Sequence, residues 1–221
     1  MQTRPRITVT RAAAVMGAML ALFLTGSLSA QSGNGLYGAG APDDAAFVRV
    51  VHGGPSGALR DIWIGATHFR LVEPLTASAY RPVTPGIHQV MVSGLNAELI
   101  PRRGNYYTVI VSGDRLHVLH DRAHTRPDRA QLVLYNFSDA EHLALRTADG
   151  ATPVIEEVAA GDAGVIEVNA VAVELALFRA SEVLAHVGDP GLERGQSYSV
   201  FAFSVAGETR VIVAQAAIAL E

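Results

Sequence analysis

Short runs in which apolar and polar residues alternate, or in which β-branched and aromatic residues follow one another, dominate the chain beyond residue 45. In the first half they are FVRVV (47–51), DIWIG (61–65), IHQVMV (87–92), YYTVIV (106–111) and RLHVLH (115–120). In the second half they are QLVLYNF (131–137), HLALRT (142–147), PVIEEV (153–158), VIEVNAVAVELALF (165–178), YSVFAFSV (198–205) and TRVIVAQ (209–215). Turn signals such as Asp149-Gly150 and Ala206-Gly207 separate them. Short strands at near-regular spacing predict an all-β fold, either a sandwich or a barrel.

The two halves of this pattern resemble each other. RGNYYTVIV (103–111) corresponds to RGQSYSVFA (194–202), and a hairpin with a final strand follows each. We therefore predict two consecutive β-sandwich domains, 46–128 and 129–221, joined at a polar segment that contains proline. One larger sandwich with a chance similarity between hairpins is the alternative.

The first thirty residues have the pattern of a secretory signal peptide. Three arginines precede an apolar stretch, and small residues follow it near Ala30. The apolar stretch is short for a membrane-spanning helix, although an uncleaved anchor remains the alternative. We predict a signal peptide over 1–30, a flexible N-terminal segment over 31–45, and export from the cytoplasm.

Charge is distributed unevenly over the predicted mature chain. Residues 31–129 contain 10 arginines and 8 acidic residues, whereas residues 130–221 contain 4 arginines and 13 acidic residues. This asymmetry suggests two modules with different partners, and it argues against nucleic acid because no basic stripe persists. The acidic second half favours partners with basic surfaces.

The sequence offers little catalytic chemistry. It has no Cys and no Lys, no Gly-x-Ser-x-Gly motif and no glycine-rich phosphate loop. His117, His120 and His124 fall within eight residues, but strand alternation would turn His117 and His120 to opposite sides. The adjacent Glu156 and Glu157 should diverge in the same way. We predict no catalytic residue, no metal site and no cofactor.

Aromatic residues raise the alternative of a carbohydrate-binding surface, because sugar rings stack on Trp and Tyr. Trp63 lies between Ile62 and Ile64, so either it or the two isoleucines must face outward. We expect Trp63 in the core, given the apolar area that a tryptophan buries. Of the adjacent Tyr106 and Tyr107, one must face away from the core.

Several stretches together resemble the AlgF family of alginate biosynthesis proteins. They are LYGAGAPDDAAFVRVVHG (36–53), YYTVIV (106–111), LALRTADGATPVIEEV (143–158), VIEVNAVAVELALF (165–178) and LERGQSYSVFAF (192–203). The similarity covers essentially the whole predicted mature chain and keeps the order of the elements.

The resemblance implies a non-catalytic, periplasmic accessory component of alginate O-acetylation with two β-sandwich domains. It implies periplasmic SGNH-type O-acetyltransferases and a membrane-bound acyl transferase as partners, with alginate itself as a further candidate. Any contact with the membrane would then be indirect. The alternative function is a stand-alone carbohydrate-binding module, and hydrolase or transferase activity is a third.

The sequence suggests four residues for partner contact. They are Tyr37 in the glycine-rich segment before the first strand, and Arg102, Arg103 and Tyr106. Tyr37 has two possible positions, one packed across its own first sandwich and the other docked in a partner.

Overall fold

A computed structural model describes residues 42–55 and 57–220, and every regular element in this part of the chain is a β-strand. The prediction of an all-β fold is confirmed. No helix within these residues is long and apolar enough to cross a membrane. The predicted signal peptide, most of the predicted N-terminal segment and Tyr37 lie outside the described residues.

The first module contains nine strands. They are β1 (Ala46–His52), β2 (Leu59–Ile64), β3 (Thr67–Val72), β4 (Thr76–Ala77), β5 (Arg81–Val83), β6 (His88–Val92), β7 (Leu95–Leu99), β8 (Tyr106–Ser112) and β9 (Arg115–Asp121). One sheet has the order β4-β1-β8-β9, with β5 also paired to β1. The hairpins β2–β3 and β6–β7 form the second layer, and apolar residues from both layers share one core.

The second module contains eight strands. They are β10 (Ala130–Phe137), β11 (His142–Thr147), β12 (Pro153–Ala159), β13 (Ala163–Val168), β14 (Leu175–Arg179), β15 (Glu182–Gly188), β16 (Ser197–Val205) and β17 (Glu208–Gln215). Two four-stranded sheets, β13-β10-β16-β17 and β12-β11-β14-β15, enclose its core. The segment 122–129, in which the predicted domain boundary lies, connects β9 to β10.

Two local expectations are wrong in this module. The run 165–178 is not one strand, because β13 pairs with β10 in one sheet while β14 pairs with β11 in the other. The intervening residues carry the chain between the layers. Glu156 and Glu157 do not diverge; both are exposed, because the register shifts between β11 and β12 and Glu157 has a positive φ of 56°.

The internal repeat of the sequence has a structural counterpart. In each module the first strand pairs in parallel with the strand of the Arg-Gly repeat, with Phe47 opposite Tyr106 and Gln131 opposite Ser197. The Arg102 N–H donates to the Tyr107 hydroxyl at 3.1 Å, and the Glu193 N–H donates to the Tyr198 hydroxyl at 3.0 Å. The same tyrosine therefore closes the same turn twice.

Strand β1 is buried along its whole length, which an outer sheet with one wet face would not allow. Val48 and Val50 belong to the core of the first module, while Val51 packs in a separate cluster that includes Val133 and Phe201 of the second module. The central sheets of the two modules thus pack against each other through their second faces. The two modules belong to one compact unit.

The C-terminal residues after β17 return to the first module. Tyr80 forms a parallel bridge with Ile218, in which the Tyr80 N–H donates to the Ala217 carbonyl and the Ala219 N–H donates to the Tyr80 carbonyl, both at 2.8 Å. Ile218 also packs on a cluster that contains Phe47 and Tyr106. Residues at the end of the chain therefore complete the packing around the first strand.

Candidate functional site

Arg102 and Arg103 are both exposed and lie in the segment between β7 and β8. Arg103 donates from Nε to the carbonyl of Asp43 at 2.9 Å. Both side chains are accessible, and partner contact through them stays a prediction.

Tyr106 occupies a different environment, because only 4% of its surface is exposed. Its ring stacks on Phe47 at a centroid distance of 5.0 Å and meets the edge of Tyr80 at 5.3 Å. Tyr107 points into the core of its own module, so one tyrosine of the pair does face away from that core, as alternation requires. Tyr106 is nevertheless covered, and its ring is not accessible to a partner.

The prediction of a buried Trp63 is wrong. Ile62 and Ile64 are almost completely buried, whereas 52% of the Trp63 surface is exposed. Because side chains alternate along β2, either Trp63 or its two neighbours can face the core, and here the two isoleucines face it. The Trp63 ring instead stacks on His68, with centroids 4.1 Å apart and planes 3° from parallel.

Arg49, at the centre of β1, is one of the large, fully buried side chains among the described residues and carries a charge. It is 1% exposed and lies between the two modules. Its Nε donates to the Thr108 hydroxyl at 2.8 Å, and its Nη2 donates to the hydroxyls of Tyr135 and Ser199 at 3.0 and 2.9 Å. A charge so deep in a protein requires partners of this kind. Arg49 therefore links its own module to β10 and β16 of the second.

Aromatic rings complete the environment of the Arg49 guanidinium. Its central carbon lies 4.6 Å from the ring centroid of Tyr80 and 4.9 Å from that of Phe201. The negative faces of aromatic rings attract cations, most strongly where water is excluded. One ring comes from each module, so this attraction also acts across the interface.

Asp121, the last residue of β9, supplies the opposite charge. Its Oδ2 accepts from the hydroxyls of Tyr80 at 2.9 Å and Thr108 at 2.6 Å, and its Oδ1 accepts from the Tyr135 hydroxyl at 2.6 Å. Thr108 and Tyr135 thus accept from Arg49 and donate to Asp121, which connects the two charges through hydroxyl groups. We call Arg49, Tyr80, Thr108, Asp121, Tyr135 and Ser199 the interdomain cluster.

The ionisation of the interdomain cluster follows from this arrangement. Burial alone would lower the pKa of Arg49, but the electrostatic effect of the nearby Tyr80 and Tyr135 oxygens and of the Asp121 carboxylate outweighs it, and the net shift is upward. Burial raises the pKa of Tyr80 and Tyr135, although the nearby Arg49 acts in the opposite direction. The phenols therefore stay protonated, which they must do to donate to Asp121.

This chemistry suits cohesion between modules rather than catalysis. The Thr108 and Ser199 hydroxyls accept hydrogen bonds from Arg49, which stays protonated and cannot act as a general base. A cavity of about 20 Å³ adjoins the cluster, which is the space of one water molecule. An acetyl donor or a sugar is far larger than this cavity.

Sequence reasoning missed the interdomain cluster. One signal was present, since an arginine stood in the middle of the apolar run FVRVV. A cation flanked by valines on a strand with both faces buried must have hydrogen-bonding or oppositely charged partners inside the protein. The sequence could not indicate that this partner would come from the other module.

A groove of about 520 Å³ lies beside β3, and its lining includes His68, Arg70, Ser78 and Arg81. His68 Nε2 lies 3.0 Å from Asp61 Oδ1, so Ser, His and Asp all occur in this region. The Ser78 hydroxyl, however, accepts from the Val50 N–H and donates to the Ala79 carbonyl, both at 2.9 Å. It is held by the main chain, and it has no hydrogen bond to His68 in the described part of the chain.

The histidines near the connecting segment do not converge. His117 meets the edge of the Phe137 ring, His120 is exposed, and His124 places Nδ1 3.5 Å from Glu167 and Nε2 3.1 Å from the Arg129 carbonyl. Within residues 42–55 and 57–220, no three His, Asp or Glu side chains are grouped so that they could hold a metal ion.

Comparison with known proteins places this architecture in a family. The sequence model of the family described as "Alginate O-acetyl transferase AlgF" matches residues 19–199. The chain belongs to the AlgF family. The AlgF of Pseudomonas aeruginosa, named "Alginate biosynthesis protein AlgF", is 31% identical over 207 residues, which are 92% of this chain and 91% of that protein.

Other AlgF proteins and two solved AlgF structures match as well. The Azotobacter vinelandii protein is 28% identical over 78% of this chain and 79% of its own length. The C-terminal domain of P. aeruginosa AlgF aligns at 30% identity over 40% of this chain and 98% of that domain, with a TM-score of 0.37. The N-terminal domain aligns at 27% identity over 37% of this chain and 99% of that domain, with a TM-score of 0.33.

Proposed function

We propose that this protein is a non-catalytic periplasmic accessory component of alginate O-acetylation that bridges acetyl-transferring enzymes. The observation that carries the proposal is its membership in the AlgF family, whose relatives are named for alginate biosynthesis. SGNH-type O-acetyltransferases and a membrane-bound acyl transferase are the proposed partners.

The family description contains the word transferase, so an enzymatic role is the direct competitor. Three features favour the accessory role. The Thr108 and Ser199 hydroxyls accept from the Arg49 guanidinium, the cavity beside the cluster is the size of one water molecule, and the Ser78 hydroxyl bonds to main-chain groups. A nucleophilic hydroxyl requires a neighbouring base and room for the acyl group.

Deletion of the gene tests this proposal. We expect the deletion strain to make polymer that lacks acetyl groups, measured as acetyl content per uronate. Complementation with Ser78→Ala should restore acetylation, and the purified protein should not hydrolyse acetyl esters. Full acetylation in the deletion strain would exclude a role in acetylation, whereas turnover that is lost in Ser78→Ala would establish an enzyme.

The exposed Trp63 favours a second candidate function, a stand-alone carbohydrate-binding module. Its ring is half exposed and stacked on His68, beside a groove that Arg70 and Arg81 line. Calorimetric titration with defined oligouronates tests this candidate. Binding that survives moderate salt and is lost in Trp63→Ala would support it over the accessory role.

A further inference from the structure

More than half of the large exposed apolar residues in the described part of the chain lie in the segment that contains the hairpins β2–β3 and β6–β7. Among the described residues, nine large apolar side chains are exposed, and five of them lie between residues 63 and 100: Trp63, Leu71, Ile87, Met91 and Ile100. Ile87 and Met91 each expose 70% of their surface. Clustered exposure of this kind marks interaction sites, whereas scattered single residues do not.

We propose that the outward side of the hairpins β2–β3 and β6–β7 docks a partner protein whose contact surface is apolar at its centre and acidic at its rim. This surface, the hairpin face, comprises Trp63, Ile87, Met91, Ile100, Arg102 and Arg103. The inference rests on the proposed function, since it locates the contact with an acetyltransferase.

The residues of the hairpin face belong to one continuous surface. Strands β2 and β6 pack alongside each other, and the β2–β3 turn is close enough that a Cβ at Gly65 would lie 2.8 Å from the His88 ring. His88 lies opposite Leu99, so the neighbouring Ile87 and Ile100 flank the same end of the β6–β7 hairpin. The arginine pair follows Ile100 after a single proline.

The charge around this surface selects the chemistry of the partner. Residues 59–103 contain five arginines and three acidic residues, while the second module has a large acidic excess. Exposed arginines at the rim of an apolar patch favour a partner that carries carboxylates. Trp and Arg are also the residue types that most often dominate binding energy at interfaces.

Two other occupants fit less well. A second copy bound face to face would bring the arginines of both copies together. Addition of a peptide strand to β3 is hindered, because its His68 carbonyl accepts from Arg81 Nη1 and the Thr67 hydroxyl donates to the Pro82 carbonyl.

The test is a binding titration of the purified mature protein with the purified SGNH-type acetyltransferase of the same organism. Met91→Glu and Trp63→Glu should each weaken the affinity at least about tenfold, as expected for residues at the centre of an interface. Val183→Glu and Val213→Glu are matched controls, since these valines are exposed at 42% and 40% in the second module. Arg102→Ala with Arg103→Ala should slow association and reduce its salt dependence.

The outcomes separate this inference from the proposed function. If the enzyme binds all variants as tightly as the wild type, the hairpin face is not the docking site, and the accessory role stands. If the wild type does not bind the enzyme, the proposed partnership itself is wrong. If Trp63→Glu and Met91→Glu instead abolish binding to oligouronates or to anionic vesicles, or abolish self-association in light scattering, the protein-docking inference is overturned. Matching urea unfolding curves for all variants establish that each is folded.

Discussion

The central sheets of the two modules share one plan but differ in chemistry. The parallel ladders pair Arg49 with Thr108 in the first module and Val133 with Ser199 in the second. Arg49 is therefore equivalent to Val133, and Thr108 is equivalent to Ser199. Asp121 lies opposite Tyr106 in the β8–β9 ladder of the first module. The corresponding position of the second module is Ala216, directly after the last pair of the β16–β17 ladder. Both charges of the interdomain cluster therefore come from the first module. The second contributes hydroxyls and aromatic rings.

This difference shows how a repeated fold acquires a specific internal interface. Two identical apolar faces could slide over each other or pair with a second molecule at little cost. A buried charge pair bridged by the Thr108 and Tyr135 hydroxyls is satisfied in one arrangement only. We infer that the asymmetry fixes the orientation of one module on the other, at a desolvation cost that the hydrogen bonds offset.

Replacing Arg49 by its second-module equivalent should have the largest effect. Arg49→Val leaves Asp121 buried without its cation, and loss of one partner of a buried pair costs about 3–5 kcal/mol. The double variant Arg49→Val with Asp121→Ala removes the unpaired carboxylate and should be less destabilised than the sum of the single variants. Urea unfolding measures both. Additive losses would show that the two charges are not coupled.

Alkaline pH should break the same interface without mutation. The pKa values of Tyr80 and Tyr135 are raised in the folded protein, so the unfolded state loses these protons first as pH rises. The contribution of these tyrosines to the free energy of unfolding is fully present below about pH 10, the pKa of an ordinary tyrosine. Above that pH it falls by about 1.4 kcal/mol per pH unit for each tyrosine. Urea midpoints between pH 8 and 11 test this. Tyr135→Phe should reduce the slope, and an unchanged slope would contradict the assignment.

Two glycines compare packing between the modules with packing within one. A Cβ at Gly53 would lie 2.2 Å from the Phe203 ring across the interface, and one at Gly164 would lie 2.6 Å from Ile155 within the second core. Both Gly53→Ala and Gly164→Ala should cost about 1–3 kcal/mol through overpacking. Gly57→Ala cannot serve as a control for these two variants, because Gly57 has a positive φ and an alanine there would strain the backbone. Adding Phe203→Leu should restore stability to the Gly53→Ala variant but not to the Gly164→Ala variant. Rescue of both variants would be inconsistent with the contacts of the two glycines.

The smallest effect concerns the tyrosine that both modules share. The Tyr107 hydroxyl accepts one main-chain hydrogen bond, while the Tyr198 hydroxyl accepts one from Glu193 and donates another to the Gly191 carbonyl. Tyr107→Phe should therefore cost about 1 kcal/mol and Tyr198→Phe somewhat more. Thermal unfolding of the two variants compares them. A larger loss in Tyr107→Phe than in Tyr198→Phe would contradict this ranking.

The sequence predicted the fold class and most central strands because these strands carry strong β-branched or aromatic patterns. Among the strands it missed are β7, whose LNAEL sequence is short and polar on one side, and β15, whose EVLAHVG sequence shows no alternating exposure. The prediction for Trp63 was wrong because strand alternation shows only that adjacent side chains point to opposite faces of the sheet. Which side is the core depends on the neighbours across the sheet, and these are not adjacent in sequence.

The candidate sites follow the same rule. The exposure of Arg102 and Arg103 was foreseeable from their polar surroundings, whereas the burial of Tyr106 depends on Phe47, Tyr80 and the C-terminal residues. Arg49 depends on Tyr135 and Ser199, which are 86 and 150 positions away. Contacts at such separations are set by tertiary packing and leave no local pattern to read.

The bridge between Tyr80 and Ile218 has a consequence for how the molecule comes apart. These residues are 138 positions apart, and the bridge fastens the end of the second module onto the first. Opening either module must release this contact together with the charges buried between them, so the unfolding of one half destabilises the other. Despite its two-part construction, we expect the protein to show a single calorimetric transition, with equal calorimetric and van't Hoff enthalpies.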